Sequence, residues 1–308
     1  MKIYNSPDEF EKIDYAVVTS GTFDGVHVGH QKILSRIKDV AQKKGGETVL
    51  LTYWPHPRHV LYEDQSLHLL SSLEEKSVLL RKHKIDHLII IPFTRQFASL
   101  SSDDFIENIL VNKIGTKKLV IGYDHKFGRN RSGSFEELKK NGPKYGFEVE
   151  EIPEQDVDHV AVSSTKIRKA LETGNIEKAN KYLDRHYDVY GKVTNGDKIG
   201  STLGFPTANI EVAFEHKLIP ADGIYAVEVD VLDKSWKGML NIGYRPTVHG
   251  SYKVMEVHIF NFDHDIYDHD IKVFFHKRIR DEVKFSGLPE LKAQLAKDEK
   301  TVRSYFNI

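Results

Sequence analysis

Gly21-Thr22-Phe23-Asp24-Gly25-Val26-His27-Val28-Gly29-His30 follows the apolar run Tyr15-Ala16-Val17-Val18-Thr19 and leads into a helical pattern ending at Lys44. An extended run that enters a helix through a glycine-rich turn aims backbone N–H groups and the positive end of the helix dipole at an anion. Gly21, Gly25 and Gly29 allow the backbone to come close to such a ligand. Ile33, Leu34, Ile37 and Val40/Ala41 recur at helical spacing, and Gly45-Gly46 stops the pattern. His27 and His30 flank a glycine at a spacing that lets both donate hydrogen bonds to one phosphate chain and stabilise charge developing there. Phe23 and Asp24, inside the turn, belong to the same candidate nucleotide site.

Outward from this turn, short apolar runs alternate with helical segments. Thr48–Tyr53, His87–Ile91 and Lys118–Gly122 read as strands, and Leu73–His83 and Asp103–Leu110 as helices. Strands alternating with helices predict a parallel sheet covered on both faces. A helical segment over Thr165–Tyr182 then gives way to Tyr187–Val193, Gly223–Val231, Gly238–Ile242, Val254–Phe262 and Ile271–His276. These are rich in Val, Ile, Tyr and Phe and are separated by Gly, Asp and Asn turns, which predicts a small antiparallel barrel. Leu288–Phe306 reads as a closing amphipathic helix. Two domains are expected, 1–184 and 185–308.

The charge balance is 44 Lys plus Arg against 45 Asp plus Glu, so nothing draws the whole chain to nucleic acid or an anionic membrane. Any anionic ligand must be held by a local site, and the partners expected are small molecules. No feature of the sequence indicates an oligomer. The chain contains no cysteine, which excludes a disulfide framework, thiolate zinc sites and a cysteine nucleophile. Neither a signal-peptide pattern nor an apolar run of about 20 residues is present, and a cytoplasmic location is expected.

Ser163-Ser164-Thr165-Lys166-Ile167-Arg168 opens a helix with hydroxyl residues, which either cap the helix or bind phosphate oxygens. Arg168, one turn in, suits a polyphosphate. Trp54-Pro55-His56-Pro57 and the Gly122–Gly133 segment, which contains Asp124, follow strands and suit ligand binding at the carboxyl ends of a parallel sheet; each is also consistent with a plain loop.

In the second half, Gly200 and Gly204 belong to a glycine loop able to wrap a nucleotide, although no P-loop pattern is present. Thr207 and Asn209 alternate about Ala208 in Pro206–Asn209, and two neutral oxygens of this kind suit Mg²⁺. Glu256 and His258 share one face of an alternating strand. A glutamate there is either a general base toward a hydroxyl or an outward-facing polar residue.

The turn carries the H-x-G-H signature of nucleotidyltransferases that attack the α-phosphate of ATP and release pyrophosphate. With Pro55-His56-Pro57, Phe97-Ala98-x-Leu100-Ser101, the Gly122–Gly128 stretch and Ser163–Arg168 in this order, the chain resembles the bacterial bifunctional riboflavin kinase/FMN adenylyltransferases, or FAD synthetases. Gly204–Ile210, Asn241–Thr247 and Glu256–Phe262 extend the resemblance over almost the whole chain. It implies a Rossmann-like nucleotidyltransferase domain followed by a riboflavin kinase barrel with a C-terminal helix. It further implies that His27 and His30 act on ATP phosphates, with Ser163, Ser164, Thr165 and Arg168 closing around them and Asp124 near nucleotide or flavin. His56 and Pro57 are implied near flavin. Thr207 and Asn209 are implied as Mg²⁺ ligands, Glu256 as the base, and Arg280 with the final helix as the flavin cover. ATP, riboflavin, FMN and FAD are the implied substrates and products.

Three other readings are consistent with parts of the sequence. His264-Asp265-x-x-Asp268-His269-Asp270 offers metal ligands on a loop, although adjacent ligands in such a connection rarely converge. An adenylyltransferase with a silent flavin-binding barrel would yield no FMN from riboflavin. A flavin-sensing RNA regulator would need a basic stripe that the charge pattern lacks.

Overall fold

The computed structural model describes residues 1–123, 126–129, 133–152, 162–195, 199–247 and 250–308; for 199, 201, 245–247 and 250–252 it describes the backbone alone. The chain divides into two compact units, Met1–Ser164 and Thr165–Ile308. The division falls ahead of the change in texture at 184/185, because the helix Ile176–Leu183 packs on strands of the second unit.

In the first unit, β1 (Lys2–Tyr4), β2 (Ala16–Ser20), β3 (Glu47–Trp54), β4 (His87–Pro92), β5 (Thr116–Gly122) and β6 (Glu148–Ile152) form one sheet. Its order is β1-β4-β3-β2-β5-β6, and every pairing is parallel. Alternate residues of the central strands feed two apolar layers. Val17, Leu50 and Leu88 pack with Leu34 and Ile37 of α1 (Val28–Lys44) and Leu80 of α3 (Leu73–Lys82). Val18, Leu51 and Ile89 pack on the opposite face with Leu110 and Ile114 of a π-helix, Phe105–Ile114, and Leu138 of the helix Phe135–Tyr145. Both faces are therefore covered, as a buried parallel sheet requires.

From β2 the chain steps through β3 to β4, then returns to place β5 on the other flank of β2. Where strand order reverses, the loops beyond the carboxyl ends splay apart and leave a crevice. The Gly21–His30 turn leaves β2 at that point.

In the second unit, β7 (Tyr187–Thr194), β8 (Ala208–Val212), β9 (Gly223–Val231), β10 (Lys234–Thr247), β11 (Gly250–Ile259) and β12 (Asp270–Arg280) close into a barrel, β10-β11-β8-β7-β12-β9. Every pairing is antiparallel. Met255, Val257 and Ile259 of β11 are buried, alternating with the half-buried Glu256 and His258. A second apolar cluster joins Ala226, Met239 and Phe260 to Leu291, Leu295, Val302 and Phe306 of the C-terminal helix Leu288–Phe306, which covers one flank of the wall. The helical segment expected over Thr165–Tyr182 is two helices, Ser164–Glu172 and Ile176–Leu183, because Gly174 turns the chain at φ +74°.

The His186 and His276 rings stack at 3.7 Å, with Phe306 5.1 Å from His276. His276 Nε2 is buried without a hydrogen-bond partner among the described residues. Burial, then the charges of His186 and Lys237, holds His276 down to about 4. Unfolded histidine takes up its proton near pH 6.5, so the unfolded chain binds more protons below that pH and the fold loses stability as pH falls from about 6.5 toward 4. After discounting for solvent screening, we expect His276 to account for about 1 kcal/mol lost between pH 6.5 and 5. Calorimetric melting of the wild type and His276→Phe checks this: the variant should lose less stability over that interval, and identical slopes would refute it.

Candidate active sites

The turn after β2 is conformationally strained. Phe23 (φ 48°), Gly25 (φ 80°) and Val26 (φ 40°) all lie in the left-handed region, and a β-branched residue rarely adopts it. Such a turn persists only where its surroundings fix it. Asp24 is 2 % exposed, and its carboxylate accepts from the Leu70 N–H at 3.0 Å and the Ser71 N–H at 3.1 Å. Ser71 Oγ in turn accepts from the Gly25 N–H at 3.1 Å, and Ser164 Oγ donates to the Asp24 carbonyl at 3.0 Å. Phe23 is buried against Val17 and Leu34 in the core. Asp24 and Phe23, expected as nucleotide-site residues, are thus placed as supports of the turn, while Gly21, whose N–H bonds to Leu51 O at 3.0 Å, carries the chain out of β2.

His27 is the N-cap of α1. Its Nδ1 accepts from the His30 N–H at 3.4 Å, which leaves the ring proton on Nε2. The His27 and His30 rings stack at 3.7 Å and 16°, with Phe23 4.7 Å from His30. Gly29, buried in the first turn of α1, lies between them. Burial foremost, then the charges of His27 and Lys76, holds His30 well below the ordinary histidine range. His30 is therefore neutral at physiological pH, and the stacked pair is set at a helix N-terminus in the crevice where the sheet reverses. Two stacked imidazoles there can present ring N–H donors to a phosphate.

His56, the N-cap of α2 (Pro57–Tyr62), accepts from the Arg58 N–H at 3.2 Å, so His56 and Pro57 form a helix start just beyond β3. Ser163 and Ser164 end the first unit. Thr165, exposed, and Arg168, half-buried, lie on the helix Ser164–Glu172 and belong to the second. Asp124 lies outside the described residues.

The barrel holds the second site. In register, Glu256 of β11 stands opposite Asn241 on one neighbour, β10, and opposite Asn209 on the other, β8. The three form a row across adjoining strands. A cavity of about 280 Å³ opens over Glu256 and Asn241, lined by these two with Thr207, His258 and Arg280 on the polar side and by Leu291 and Leu295 of the C-terminal helix on the apolar side. Asn209 stands beside it in the row and does not line it. Glu256 thus faces away from the barrel interior, the geometry expected of an ordinary polar residue, but the face it occupies is covered. His258 Nδ1 lies 2.7 Å from the Pro206 carbonyl and ties β11 to the Pro206–Asn209 segment. Arg280 is gripped by the buried Asp298 carboxylate through Nε at 3.0 Å and Nη2 at 2.6 Å, so it lines the cavity while anchoring the C-terminal helix. The glycine segment is the short helix Ile199–Leu203, with Gly204 turning at φ +88°. A Cβ on Gly200 would collide with the Phe205 carbonyl, so a side chain is excluded there. Among the described residues no group of three or more His, Cys, Asp or Glu is placed to hold a metal, the His264–Asp270 loop included.

Two residues of these sites were not singled out from the sequence: Lys76, buried beneath the turn, and Asn241, in the Glu256 row. The signal for Lys76 was a lysine on the apolar stripe Leu73, Lys76, Leu80; for Asn241, it was an amide opposite a glutamate, visible only once strands are paired.

A stacked histidine pair at a helix N-terminus and a carboxylate–amide row beside a half-apolar cavity suit a two-site transferase acting on phosphates. The sequence model of the FAD synthetase family matches residues 10–166, and that of riboflavin kinase matches residues 183–306. A bifunctional riboflavin kinase/FMN adenylyltransferase of Buchnera aphidicola is 39% identical, with 100% of both chains covered. Its Escherichia coli K12 counterpart is 37% identical over 95% of this chain and 93% of its own. A crystal structure of a Streptococcus pneumoniae protein described as a macrolide-efflux protein superimposes with a TM-score of 0.89, 30% identity and 98% coverage of each chain. That description is of the other protein; here, among the described residues, no helix is long and apolar enough to cross a membrane. The chain belongs to the family of bifunctional riboflavin kinase/FMN adenylyltransferases, with the FAD synthetase part first and the riboflavin kinase part second.

Proposed function

We propose that the first unit joins AMP to FMN at the His27–His30 turn and that the second phosphorylates riboflavin over the Glu256 row. The observation that carries the adenylyl-transfer reading is the stacked histidine pair at the head of α1. In this reading a phosphate oxygen of FMN attacks the α-phosphorus of ATP and pyrophosphate leaves, while His27 and His30 donate hydrogen bonds to the oxygens where charge accumulates. The Gly21–Gly29 backbone cradles the chain of phosphates, Asp24 and Phe23 hold the turn in shape, and Ser163, Ser164, Thr165 and Arg168 are assigned as further nucleotide contacts by their helix-start chemistry. His56 and Pro57, and Asp124, are assigned to the flavin and nucleotide by resemblance.

For the kinase, Glu256 accepts the proton of a ribityl hydroxyl as its oxygen attacks the γ-phosphorus and ADP leaves. The register that sets Asn209 and Asn241 on either side of Glu256, over a cavity with apolar and polar walls, supports this reading. The Thr207 hydroxyl and Asn209 amide oxygen are hard, neutral donors that fit Mg²⁺, which keeps most of its own water. Bound there, the ion supplies charge neutralisation on the transferred phosphoryl group. Gly200 and Gly204 are assigned to the nucleotide, and Arg280, held by Asp298, to the flavin side of the cavity. The proposal places the enzyme in the cytoplasm, divides its activities at 184/185 and gives it small-molecule partners without nucleic acid, in keeping with the near-zero net charge.

Purified protein given riboflavin, ATP and Mg²⁺ is expected to form FMN first and FAD after it, with pyrophosphate released in step with FAD. FMN without FAD would overturn the assignment of the first unit. Unchanged riboflavin alongside conversion of supplied FMN would overturn that of the second.

A further inference from the structure

Helix α3 begins with a closed capping box: Ser72 Oγ accepts from the Glu75 N–H, and the Glu75 carboxylate accepts from the Ser72 N–H. The cap fixes the rotation of the helix, and the stripe Leu73, Lys76, Leu80 faces inward. Lys76 is 2 % exposed. Burying an ammonium costs several kcal/mol unless its surroundings compensate, so such a lysine calls for a physical reason.

Its neighbours supply one. Lys76 Nζ donates to Thr52 Oγ1 at 3.2 Å, a neutral partner, and lies 5.6 Å from the centre of the Trp54 ring. Thr52 Oγ1 passes the contact on, donating to the Thr22 carbonyl at 3.2 Å, inside the strained turn. The groups facing the ammonium are thus Thr52 and Trp54 from β3, Asp24 from the turn, and His30, stacked on His27, from α1. Burial lowers Lys76 to about 8, against the opposing pull of Asp24, and the Lys76 charge is one of the influences that depress His30. The same segment therefore supports the turn twice: Leu70 and Ser71 grip Asp24, and Lys76 grips Thr22 through Thr52.

We propose that Lys76 is a positioning residue for adenylyl transfer: its buried ammonium fixes the Thr22 end of the turn through Thr52 and sets a positive charge beneath the His30 ring. This rests on the assignment of that pair to ATP. The site then carries a positive charge beneath the histidine turn, and an incoming polyphosphate meets the ring N–H donors backed by a cation.

The test combines proton NMR titration of the histidine Cε1–H signals in the full-length enzyme with the pH profile of kcat/KM for FAD formation. The His30 signal is assigned by its loss in His30→Gln. Lys76→Met keeps the length and removes the charge; Lys76→Gln also keeps a donor for Thr52. In both, the His30 midpoint is expected to rise by about half a unit to one unit, the effect of removing one nearby like charge, and the acid limb of kcat/KM should rise with it. kcat for FAD formation should fall about tenfold or more, with the KM for ATP changing less. Riboflavin phosphorylation by the same preparations reports that the second unit is folded, and the melting curve of each variant reports on the first. A His30 midpoint and acid limb unmoved in both variants would overturn the proposal, as would a rate loss in Lys76→Met fully explained by early melting and absent in Lys76→Gln. Should His27→Ala and His30→Ala retain FAD synthesis, the site assignment itself falls; an essential histidine pair with an inert Lys76 would overturn only the role given to the lysine.

Discussion

Replacing His27 or His30 with alanine is expected to abolish FAD formation while FMN continues to accumulate from riboflavin. Each ring contributes in a way the other cannot replace. His27 caps α1 through Nδ1 and so keeps its ring proton on Nε2; His30 lies on it at 3.7 Å and is held neutral by burial. Removing one donor to developing charge costs about 10²–10³ in rate. His27→Ala also removes the N-cap, a further cost of about 1 kcal/mol in the stability of α1. His27→Asn, which restores a capping acceptor, should recover that stability without recovering turnover. Because the two rings act as a unit, the double variant should be little slower than either single one. Chromatography of flavins over time reads all of these, and FAD synthesis at the wild-type rate in either alanine variant would remove the pair from the mechanism.

The second large effect is expected at Glu256. Glu256→Gln preserves the shape of the row between Asn209 and Asn241 and the walls of the cavity, but removes the acceptor for a hydroxyl proton. Loss of a general base lowers turnover by about 10²–10⁴. The KM for riboflavin should change little, since the apolar wall of Leu291 and Leu295 is untouched. Supplied FMN should still become FAD at the wild-type rate. Wild-type phosphorylation by Glu256→Gln would exclude the glutamate as base, and loss of both activities would reveal a folding defect or an obligatory coupling of the two reactions.

Much of this architecture was legible in the sequence because the sheet interior speaks in unbroken apolar runs. The strands at the sheet centre and the helix after the histidine turn fall where those runs and their glycine stops place them. The edges were not legible. β1 is a three-residue strand, and β6 reads Glu-Val-Glu-Glu-Ile, which looks solvated until Glu150 is seen paired with Arg36 and Lys118. Phe135–Tyr145 contains Gly142-Pro143 near its end, a pair that reads as a break rather than a helix. Gly142 is required there, since a Cβ would meet the Phe147 carbonyl at 2.8 Å.

The sites divided in the same way. The histidine pair stood out by local spacing, whereas the pattern around Glu256 left a base and an outward-facing polar residue both open, and the family resemblance favoured the base. Lys76, Asn241 and Asp298 have their partners far away in the chain, and only the apolar stripe of Leu73 and Leu80 hinted that Lys76 is buried. The glycine loop before Pro206 illustrates the converse: its composition suggested flexibility, yet its described part is a helical turn closed by Phe205 N–H to the Gly200 carbonyl at 2.8 Å.

Because the kinase row lies on the covered outer side of the barrel wall, β11 separates two kinds of constraint by parity. Its odd positions, Met255, Val257 and Ile259, are buried, and the even positions, Glu256 and His258, line the cavity. Sequence drift at the odd positions is felt as altered folding and at the even ones as altered turnover, so each can vary without the other. An enzyme built in this way can retune its barrel for heat or cold and leave its chemistry where it stands.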